Sequence, residues 1–340
     1  MKMKISKINQ IKCTVGCILL LLTMALPAAA QDYDKIAQTG FQFLSVSSDA
    51  KASALANAAT ALPLRAGSLF FNPAGMAEMK NRFDLAFSMN QWIADIRYNT
   101  FSAAVSPAKG RYGVFGVSVQ SVDYGEIIGT RVAPNLDEGY IETGNFNPDA
   151  GCFGLGYARQ LSDHFLVGGQ IKWARQRLGE NLLPTADGDS LTVKNELTPM
   201  AFDFGTLYKT GFKSLQFGMS VRNFSKEVKY AQDSFQLPLA FALGIAMDML
   251  DWFADEHEMH SLLFSIDAVH DRSHREQLLM GMDYTFLNTL SLRLGYTLGN
   301  DEDNVTLGFG FTSFGIVLDY AYTPFGVFDS VQRVSARFSL

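Results

Sequence analysis

The sequence has few cysteines and few long apolar runs. Only three of its 340 residues are cysteine, and Cys13 and Cys17 lie within the first thirty residues. Cys152 therefore has no partner for an intrachain disulfide once those residues are removed, and the fold must be stable without one. After residue 30, no stretch approaches the ~18 consecutive apolar residues of a transmembrane helix. The composition thus excludes both a disulfide scaffold and a helical membrane span.

The first thirty residues have the features of a secretory signal peptide. Four lysines precede an apolar run over residues 15–26, and Ala28-Ala29-Ala30 offers a small-residue cleavage site. We therefore predict a signal peptide over residues 1–30. Those four lysines are part of 28 basic residues, and the segment holds no acidic residue, so 24 basic residues face 34 acidic ones after cleavage. This balance of about −10 argues against nucleic acid as a partner.

From about residue 83 onward, apolar residues recur at every second position. In residues 290–296 the apolar side chains fall on one face of a strand, and Ser291, Arg293 and Gly295 fall on the other. Most such segments approach the ~9–11 residues that a tilted strand needs to cross a bilayer. Their number is even, as in bacterial single-chain barrels. The predicted strands are residues 83–93, 96–106, 110–124, 149–160, 164–178, 197–209, 214–224, 236–247, 259–270, 275–286, 289–299, 304–313, 315–324 and 331–340.

The connections between these strands also indicate a membrane barrel. Most even-numbered strands are followed by very short connections, whereas residues 125–148 and 179–196 form long ones. Aromatic residues near strand ends suggest an interfacial girdle, namely Trp92, Tyr98, Trp173, Tyr208, Tyr284 and Tyr322. The sequence predicts an all-β, monomeric, 14-stranded antiparallel transmembrane β-barrel over residues 81–340, located in the outer membrane. A soluble β-sandwich is the alternative.

Residues 31–80 differ in character and predict a helical segment inside the barrel lumen. Residues 49–62 are rich in alanine, with Asp49 available as a cap and Pro63 after the end, which predicts a thin helix. Asn72, Pro73, Ala74 and Gly75 have the pattern of a type I turn that would redirect the chain from such a plug into the first wall strand. An ordinary surface helix followed by a turn is the alternative.

Several blocks of the sequence resemble the PorV/PorQ family of outer-membrane barrels, which are similar to the FadL fatty-acid transporters. The blocks are "FQFLSVSSDAKASALANAAT", "FFNPAGMAEM", "SMNQWIADIRYNTFSAAVSP" and "YGVFGVSVQSVDYGEI". The resemblance implies a 14-stranded barrel with an N-terminal segment in its lumen. It also implies work in the type IX secretion system, in which the barrel receives secreted cargo by its C-terminal domain and delivers it to a surface attachment complex.

Polar residues on the predicted inward faces are the candidate functional residues. Buried charges need partners, so a network that packs against the plug and a polar substrate path both remain open. The candidates are Gln170, Lys172, Arg222, Arg293, Asp319, Arg333 and Arg337.

No catalytic or metal-binding pattern is evident. The His257-Glu258-Met259-His260 run has a spacing of three instead of the four that a zinc helix needs. The acidic run 301–304 lacks the spaced ligands of a calcium loop, and Cys152 lies on a predicted strand as packing. We therefore expect no enzyme activity, no cofactor and no metal.

Two functions remain in view. The first is a type IX secretion component that binds cargo domains, translocon or attachment-complex proteins through the external loops 125–148, 179–196 and 225–235. The second is a FadL-like transporter for small hydrophobic molecules. In both cases outer-membrane lipid surrounds the wall.

Overall fold

A computed structural model describes residues 39–184, 190–230, 233–252, 259–300, 304–326 and 330–340. The predicted signal peptide therefore lies outside the described residues. Fourteen long strands form one sheet. They are β1 (Phe83–Gln91), β2 (Arg97–Val105), β3 (Val114–Asp123), β4 (Asp149–Gln160), β5 (Phe165–Pro184), β6 (Met200–Lys209), β7 (Gln216–Ser225), β8 (Ala240–Asp248), β9 (His260–Asp271), β10 (Gln277–Phe286), β11 (Leu290–Leu298), β12 (Val305–Ser313), β13 (Ile316–Pro324) and β14 (Ser330–Ser339).

The sheet is closed into a barrel. Each of these strands pairs antiparallel with the next one in sequence, and β1 pairs with β14. In this closing pair, Asp84 lies opposite Ser339 and Gln91 lies opposite Gln332. Closure leaves no wall strand with an unpaired edge. A sheet in lipid requires this, because lipid tails offer no hydrogen bonds to backbone groups. The predicted 14-stranded antiparallel barrel is confirmed.

The two faces of the wall have the polarity expected for lipid outside and a polar interior. Along β1, burial alternates strictly. Phe83, Phe87 and Met89 point outward and are 44 %, 45 % and 52 % exposed, whereas Asp84 and Asn90 point inward and are buried. A soluble sandwich would bury the apolar face instead. The outward apolar face therefore fits the hydrocarbon of a bilayer.

The two ends of the barrel differ in their connections. At one end, strands are joined by short turns such as residues 287–289 and 314–315, and this end also holds the start of β1 and the end of β14. The other end carries the three longest connections, residues 124–148, 185–199 and 226–239, although the connection 249–259 at the first end is also long. We refer to the two ends as the short-turn end and the long-loop end. Bacterial barrels place short turns in the periplasm and longer loops outside the cell.

The sequence predicts two long loops, residues 125–148 and 179–196, and both contain β structure. Within 125–148, Ile127–Val132 pairs with Tyr140–Phe146 as a separate hairpin. Within 179–196, β5 continues to Pro184 and pairs with Ser190–Leu197. These segments are rich in Ile, Val, Thr and Leu, which favour strands, so the external hairpins are extensions of the same local preference.

A second difference concerns the proposed aromatic girdle. Tyr208, Tyr284 and Tyr322 point outward and are partly exposed, as predicted. Tyr98, however, is buried on the inward side, because it shares the parity of Thr100 in the alternating pattern of β2. Its ring packs edge-on against Trp92, with ring centroids 6.3 Å apart. Tyr98 is therefore part of the interior and not of the girdle.

The helices are all short. The α-helix α1 covers Ala50–Ala54. Short 3-10 helices cover Gln42–Ser45, Arg65–Phe70, Pro73–Glu78, Ile93–Asp95, Pro107–Gly110 and Met249–Trp252. None of the helices in the described ranges is long and apolar enough to cross a membrane.

The outward face generates a first prediction. Leu294 lies at the centre of β11, 44 % exposed, and Phe314 lies in a short turn, 99 % exposed. We expect Leu294→Arg to lower the free energy of unfolding in lipid vesicles by ~2–4 kcal/mol, because a charge is least tolerated at the bilayer midplane. Phe314→Arg should cost ~1 kcal/mol or less. Equal costs in a guanidinium titration would contradict a lipid-facing wall.

Candidate functional site

Residues 39–80 form a segment that runs between the two ends of the barrel, and we call it the lumenal segment. At the long-loop end, Thr39 forms a single parallel bridge with Gln236, and its hydroxyl lies 2.7 Å from that of Ser273. At the short-turn end, the guanidinium of Arg65 donates to the hydroxyl of Ser339 at 2.6 Å. Most of the side chains between these two points are buried.

The start of α1 is held by both the segment and the wall. The Asp49 carboxylate accepts a hydrogen bond from the Ala52 amide at 2.8 Å, which caps the helix. The Ala50 amide donates to the hydroxyl of Ser335 on β14 at 2.7 Å. Arg337, on the same strand, reaches Asp49 at 3.4 Å. One inward face of β14 therefore supports the cap and the first turn together.

The helix is shorter than the predicted 49–62 because the wall takes over its backbone groups. Ala56 and Asn57 have φ of 53° and 62°, which ends the right-handed turn. The Thr306 hydroxyl on β12 accepts from the Ala56 amide at 3.1 Å and donates to the Ala54 carbonyl at 3.2 Å. The Asp267 carboxylate accepts from the Thr60 amide at 2.8 Å. Side chains of the wall thus replace hydrogen bonds that further helix would have made.

The Asn-Pro-Ala-Gly sequence forms the start of a 3-10 helix. The Gly75 amide donates to the Asn72 carbonyl at 3.0 Å, and the Asn72 side-chain oxygen accepts from the Ala74 amide at 3.2 Å. Pro73 occupies the first helical position, where its missing amide hydrogen costs nothing. The Asn72 amide group donates to the carbonyl oxygens of Thr60 at 2.7 Å and Thr206 at 3.0 Å. Asn72 therefore ties the turn to an earlier part of the segment and to β6.

Two of the predicted lumen residues belong to one buried ion-pair network. Arg293 lies 2.7 Å from Asp319 and 3.2 Å from Asp283. Lys51 of the lumenal segment lies 3.2 Å from the same Asp283 carboxylate. The network contains two carboxylates and two cations, so its charges balance. It joins β10, β11 and β13 to α1 in the half of the barrel nearer the short-turn end.

Two further predicted residues, Arg222 and Arg333, contact the backbone of the lumenal segment. Arg333 donates from Nε to the Ser47 carbonyl at 3.1 Å and from its terminal nitrogen to Thr323 at 2.9 Å. Arg222 donates to the Phe70 carbonyl at 2.9 Å. Both arginines therefore hold main-chain carbonyls that the segment's irregular backbone leaves without a partner.

The other two predicted residues, Gln170 and Lys172, contact side chains of the wall. Lys172 pairs with Asp203 at 2.8 Å, and its ammonium also donates to Asn223. Gln170 donates to the Ser118 hydroxyl at 2.5 Å. These contacts link β3, β5, β6 and β7. The seven predicted side chains thus all face the interior, but only some of them contact the lumenal segment.

Sequence reasoning missed the acidic partners and the glycines that make room for the segment. Asp84, Asp203, Asp267 and Asp283 are buried on inward positions, and their alternation with apolar residues was the available signal. Inward-facing glycines lie where the segment approaches the wall. A Cβ added to Gly168 would lie 2.5 Å from the Ala74 amide nitrogen. Similar close approaches occur at Gly116, Gly156, Gly205, Gly218, Gly244, Gly281, Gly295 and Gly308.

Cavities lie beside the lumenal segment in the middle of the barrel and at both of its ends. A central cavity of about 40 Å³ lies between the segment and strands β2 to β7. Larger cavities of about 540 Å³ and 450 Å³ lie at the short-turn end and at the long-loop end. The first is lined by Lys51, Leu62 and Lys209 among others. The lumenal segment thus fills the space between the two larger cavities.

Aromatic rings hold the first residues of the segment at the long-loop end. Phe41 stacks on Phe235, with ring centroids 6.2 Å apart, and Tyr230 stacks on the same ring at 5.6 Å. Burial raises the pKa of Tyr230 to about 12, and the nearby Tyr124 adds to this shift. The Tyr230 hydroxyl therefore stays neutral at physiological pH, and the cluster introduces no charge.

The described residues offer no grouping of three or more His, Cys, Asp or Glu that could hold a metal ion. His257, Glu258 and residues 301–303, considered above as metal ligands, lie outside the described residues. Cys152 is buried on β4 and unpaired.

Solved structures similar to this fold are outer-membrane channels. CymD, a monoaromatic hydrocarbon channel, is 13% identical, covers 85% of this chain and 96% of its own, and has a TM-score of 0.56. The Pseudomonas putida toluene transporter TodX is 13% identical over 79% and 91%, with a TM-score of 0.50. A Pseudomonas aeruginosa FadL homologue is 12% identical over 86% and 98%, with a TM-score of 0.51. No protein-family model and no curated protein matches the chain in sequence.

The closed barrel and these likenesses define an outer-membrane β-barrel protein, located in the outer membrane and in contact with its lipid. Within that class, the barrel has the fold of CymD, of TodX and of the Pseudomonas aeruginosa FadL homologue. Membership of the PorV/PorQ family stays a prediction from the quoted sequence blocks.

The glycine contacts generate a second prediction. Gly168 faces the lumenal segment, whereas a Cβ on the adjacent Gly169 would meet nothing closer than 3.5 Å. We expect Gly168→Ala to lower the free energy of unfolding by about 1–3 kcal/mol through overpacking against Pro73 and Ala74. Gly169→Ala should change it by less than ~0.5 kcal/mol. Thermal and denaturant unfolding of the two variants measures the difference, and equal effects would show that the segment does not press on β5.

The cap of α1 generates a third prediction. Asp49→Ala removes the cap and leaves Arg337 buried without a carboxylate, which should cost about 3–5 kcal/mol. We expect the loosened segment to raise ion conductance in planar bilayers above that of the wild type. Asp95→Ala is the control, since Asp95 is exposed in the connection between β1 and β2. Conductance unchanged in Asp49→Ala would mean that Asp49 does not keep the lumen closed.

Proposed function

We propose that the protein is an outer-membrane transporter of small hydrophobic molecules, with the lumenal segment as its plug. The proposal is non-enzymatic: the wall provides the passage, and movement of residues 39–80 opens it. The ligand class follows the proteins of similar fold, a monoaromatic hydrocarbon channel and a toluene transporter.

The observation that carries this proposal is how the segment is attached. In the described part of the chain, its hydrogen bonds with the wall are made largely by side chains, and its one β-type pairing with another part of the protein is the Thr39–Gln236 bridge. The hydrogen bonds of the wall are therefore independent of the segment. A plug held in this way can leave its position without opening the sheet, whereas a wall strand cannot.

The polarity of the contacts indicates where the plug would move first. Lys51 is 25 % exposed on the side of the 540 Å³ cavity, so its pair with Asp283 is the more hydrated part of the network. Water weakens an ion pair more at such a position than at Arg293, whose side chain is 2 % exposed. We therefore expect α1 and residues 62–64 to separate from the wall first, beginning at the short-turn end.

A second candidate, a type IX secretion component, is favoured by one observation. The external hairpin Ile127–Phe146 exposes Ile128, Val132 and Leu136, with Val132 78 % exposed. Apolar residues clustered at a loop tip outside the membrane favour a protein partner. In this reading the hairpin binds cargo C-terminal domains, translocon proteins or attachment-complex proteins.

One experiment separates the two candidates. Cells that lack the gene are complemented with the wild type, or with a variant in which residues 127–146 are replaced by a short turn. Uptake of radiolabelled toluene and of a long-chain fatty acid is measured in each strain. For a transporter, deletion of the gene lowers uptake, and both the wild type and the hairpin variant restore it, because the hairpin lies outside the wall.

The same strains are used for affinity purification in mild detergent. Recovery of a large translocon, or of secreted proteins that share one C-terminal domain, with the wild type but not with the hairpin variant would favour the secretion function. If this occurs while uptake is unchanged by deletion, the transporter proposal is wrong.

A further inference from the structure

The central cavity of about 40 Å³ is bounded by both the lumenal segment and the wall. Its segment side includes residues 44–49 and 69–71, and its wall side includes Ser118, Lys172 and Arg222. Leu44, Leu69 and Phe71 also line it. The group that it holds must therefore be small and must satisfy polar atoms on both sides.

Three buried polar atoms that line this cavity have no hydrogen-bond partner in the described part of the protein. They are Arg222 Nε from β7 and the hydroxyl oxygens of Ser45 and Ser48 from the lumenal segment. Buried polar atoms in folded proteins nearly always have a partner, whether protein, water or ion. Three such atoms on residues that line the same cavity point to a bound group that accepts hydrogen bonds from them.

Charge favours an anion over water as this group. Lys172, Arg293 and Arg337 each form an ion pair, whereas Arg222 forms none with a carboxylate of the described residues. The guanidinium is always protonated, so its charge cannot be removed by deprotonation. Asp49 also lines the cavity, but it caps α1 and pairs with Arg337. Lys172 is likewise satisfied by Asp203. Among the cations that line the cavity, Arg222 is thus the one without a carboxylate at ion-pair distance, and its charge acts on the Asp267 carboxylate only from farther away.

We propose that this cavity is a binding site for a small monovalent anion, such as chloride or formate. Arg222 Nε and the hydroxyls of Ser45 and Ser48 donate hydrogen bonds to it. A space of about 40 Å³ exceeds the ~10–15 Å³ that one water requires but is far too small for an aromatic hydrocarbon. In the closed arrangement the site therefore cannot hold a transported hydrocarbon.

Because its ligands come from the wall and from the lumenal segment, the anion links the two. It binds the closed arrangement and loses Ser45 and Ser48 when the segment moves. A ligand that binds only one arrangement stabilises that arrangement in proportion to its concentration. The inference does not depend on what the barrel transports, since it concerns only the closed state.

Thermal unfolding of the purified protein in zwitterionic detergent tests the site. Sodium gluconate, which is too large for the cavity, is replaced stepwise by sodium chloride or sodium formate at constant ionic strength. We expect Tm to rise with either small anion in the wild type. In Arg222→Gln the apparent dissociation constant should increase roughly tenfold or more, because a charge-assisted hydrogen bond is lost.

Arg333→Gln is the matched control. Arg333 also faces the interior and holds a carbonyl of the segment, Ser47, but it does not line the cavity. We expect this variant to have a lower Tm and an unchanged anion response. An equal response in wild type and Arg222→Gln, or no response in the wild type, would overturn the proposal.

A second measurement tests the anion site even if the Arg222→Gln variant does not fold. Crystals of the wild type grown in sodium bromide should give an anomalous difference peak within hydrogen-bond distance of Arg222 Nε. Absence of that peak, with ordinary water density in the cavity, would overturn the site independently of the variants.

Discussion

A charged group sealed inside the lumen needs a partner, and this constraint connects the wall to the N-terminal segment. The wall presents Arg337, Asp283 and Asp267 to the interior, and the segment supplies Asp49, Lys51 and the Thr60 amide as their partners. Each side would otherwise leave buried charges or backbone groups unsatisfied, at a cost of several kcal/mol per ion. The segment is therefore required by the polarity of the wall, and its irregular backbone is tolerated because wall side chains complete its hydrogen bonds.

The same interior shapes what the segment can be. It must lie close to the strands, so glycines such as Gly168 and Gly218 occupy the inward positions it passes, and most of its own side chains are small. It must also reach both ends of the barrel. A single 14-residue helix would not do so while keeping its polar groups opposite these partners. Short helical turns joined by residues with positive φ, such as Ala56 and Asn57, satisfy both demands. Attachment through side chains gives a segment that is hydrogen-bonded to the wall when closed and separable from the sheet when displaced.

Much of the wall could be predicted from the sequence, because lipid outside and a polar interior impose period two on every strand. Gln170, Lys172, Arg222, Arg293, Asp319, Arg333 and Arg337 were placed on inward faces by that period alone, and all are found facing the interior. The period could not indicate pairing partners, since these come from distant parts of the chain: Asp283 and Lys51 are joined only by the closed fold. The position of Tyr98 near a strand end predicted a girdle residue, but this criterion does not distinguish aromatic residues that face lipid from those that face the interior. The predicted helix was too long, because the helix propensity of alanine does not include the hydrogen bonds that Asp267 and Thr306 of the wall make with the backbone.

Zero-length carbodiimide cross-linking tests most directly whether the chain's own N-terminal segment occupies the lumen. The Lys51 amine and the Asp283 carboxylate lie 3.2 Å apart across the interface between segment and wall. The exposed pair Lys194–Glu180, 3.3 Å apart on the external hairpin, serves as the positive control. The account predicts an amide-linked peptide pair containing Lys51 and Asp283 in the membrane-inserted protein, abolished by Lys51→Arg. Recovery of the Lys194–Glu180 link alone, at full reagent access, would contradict it.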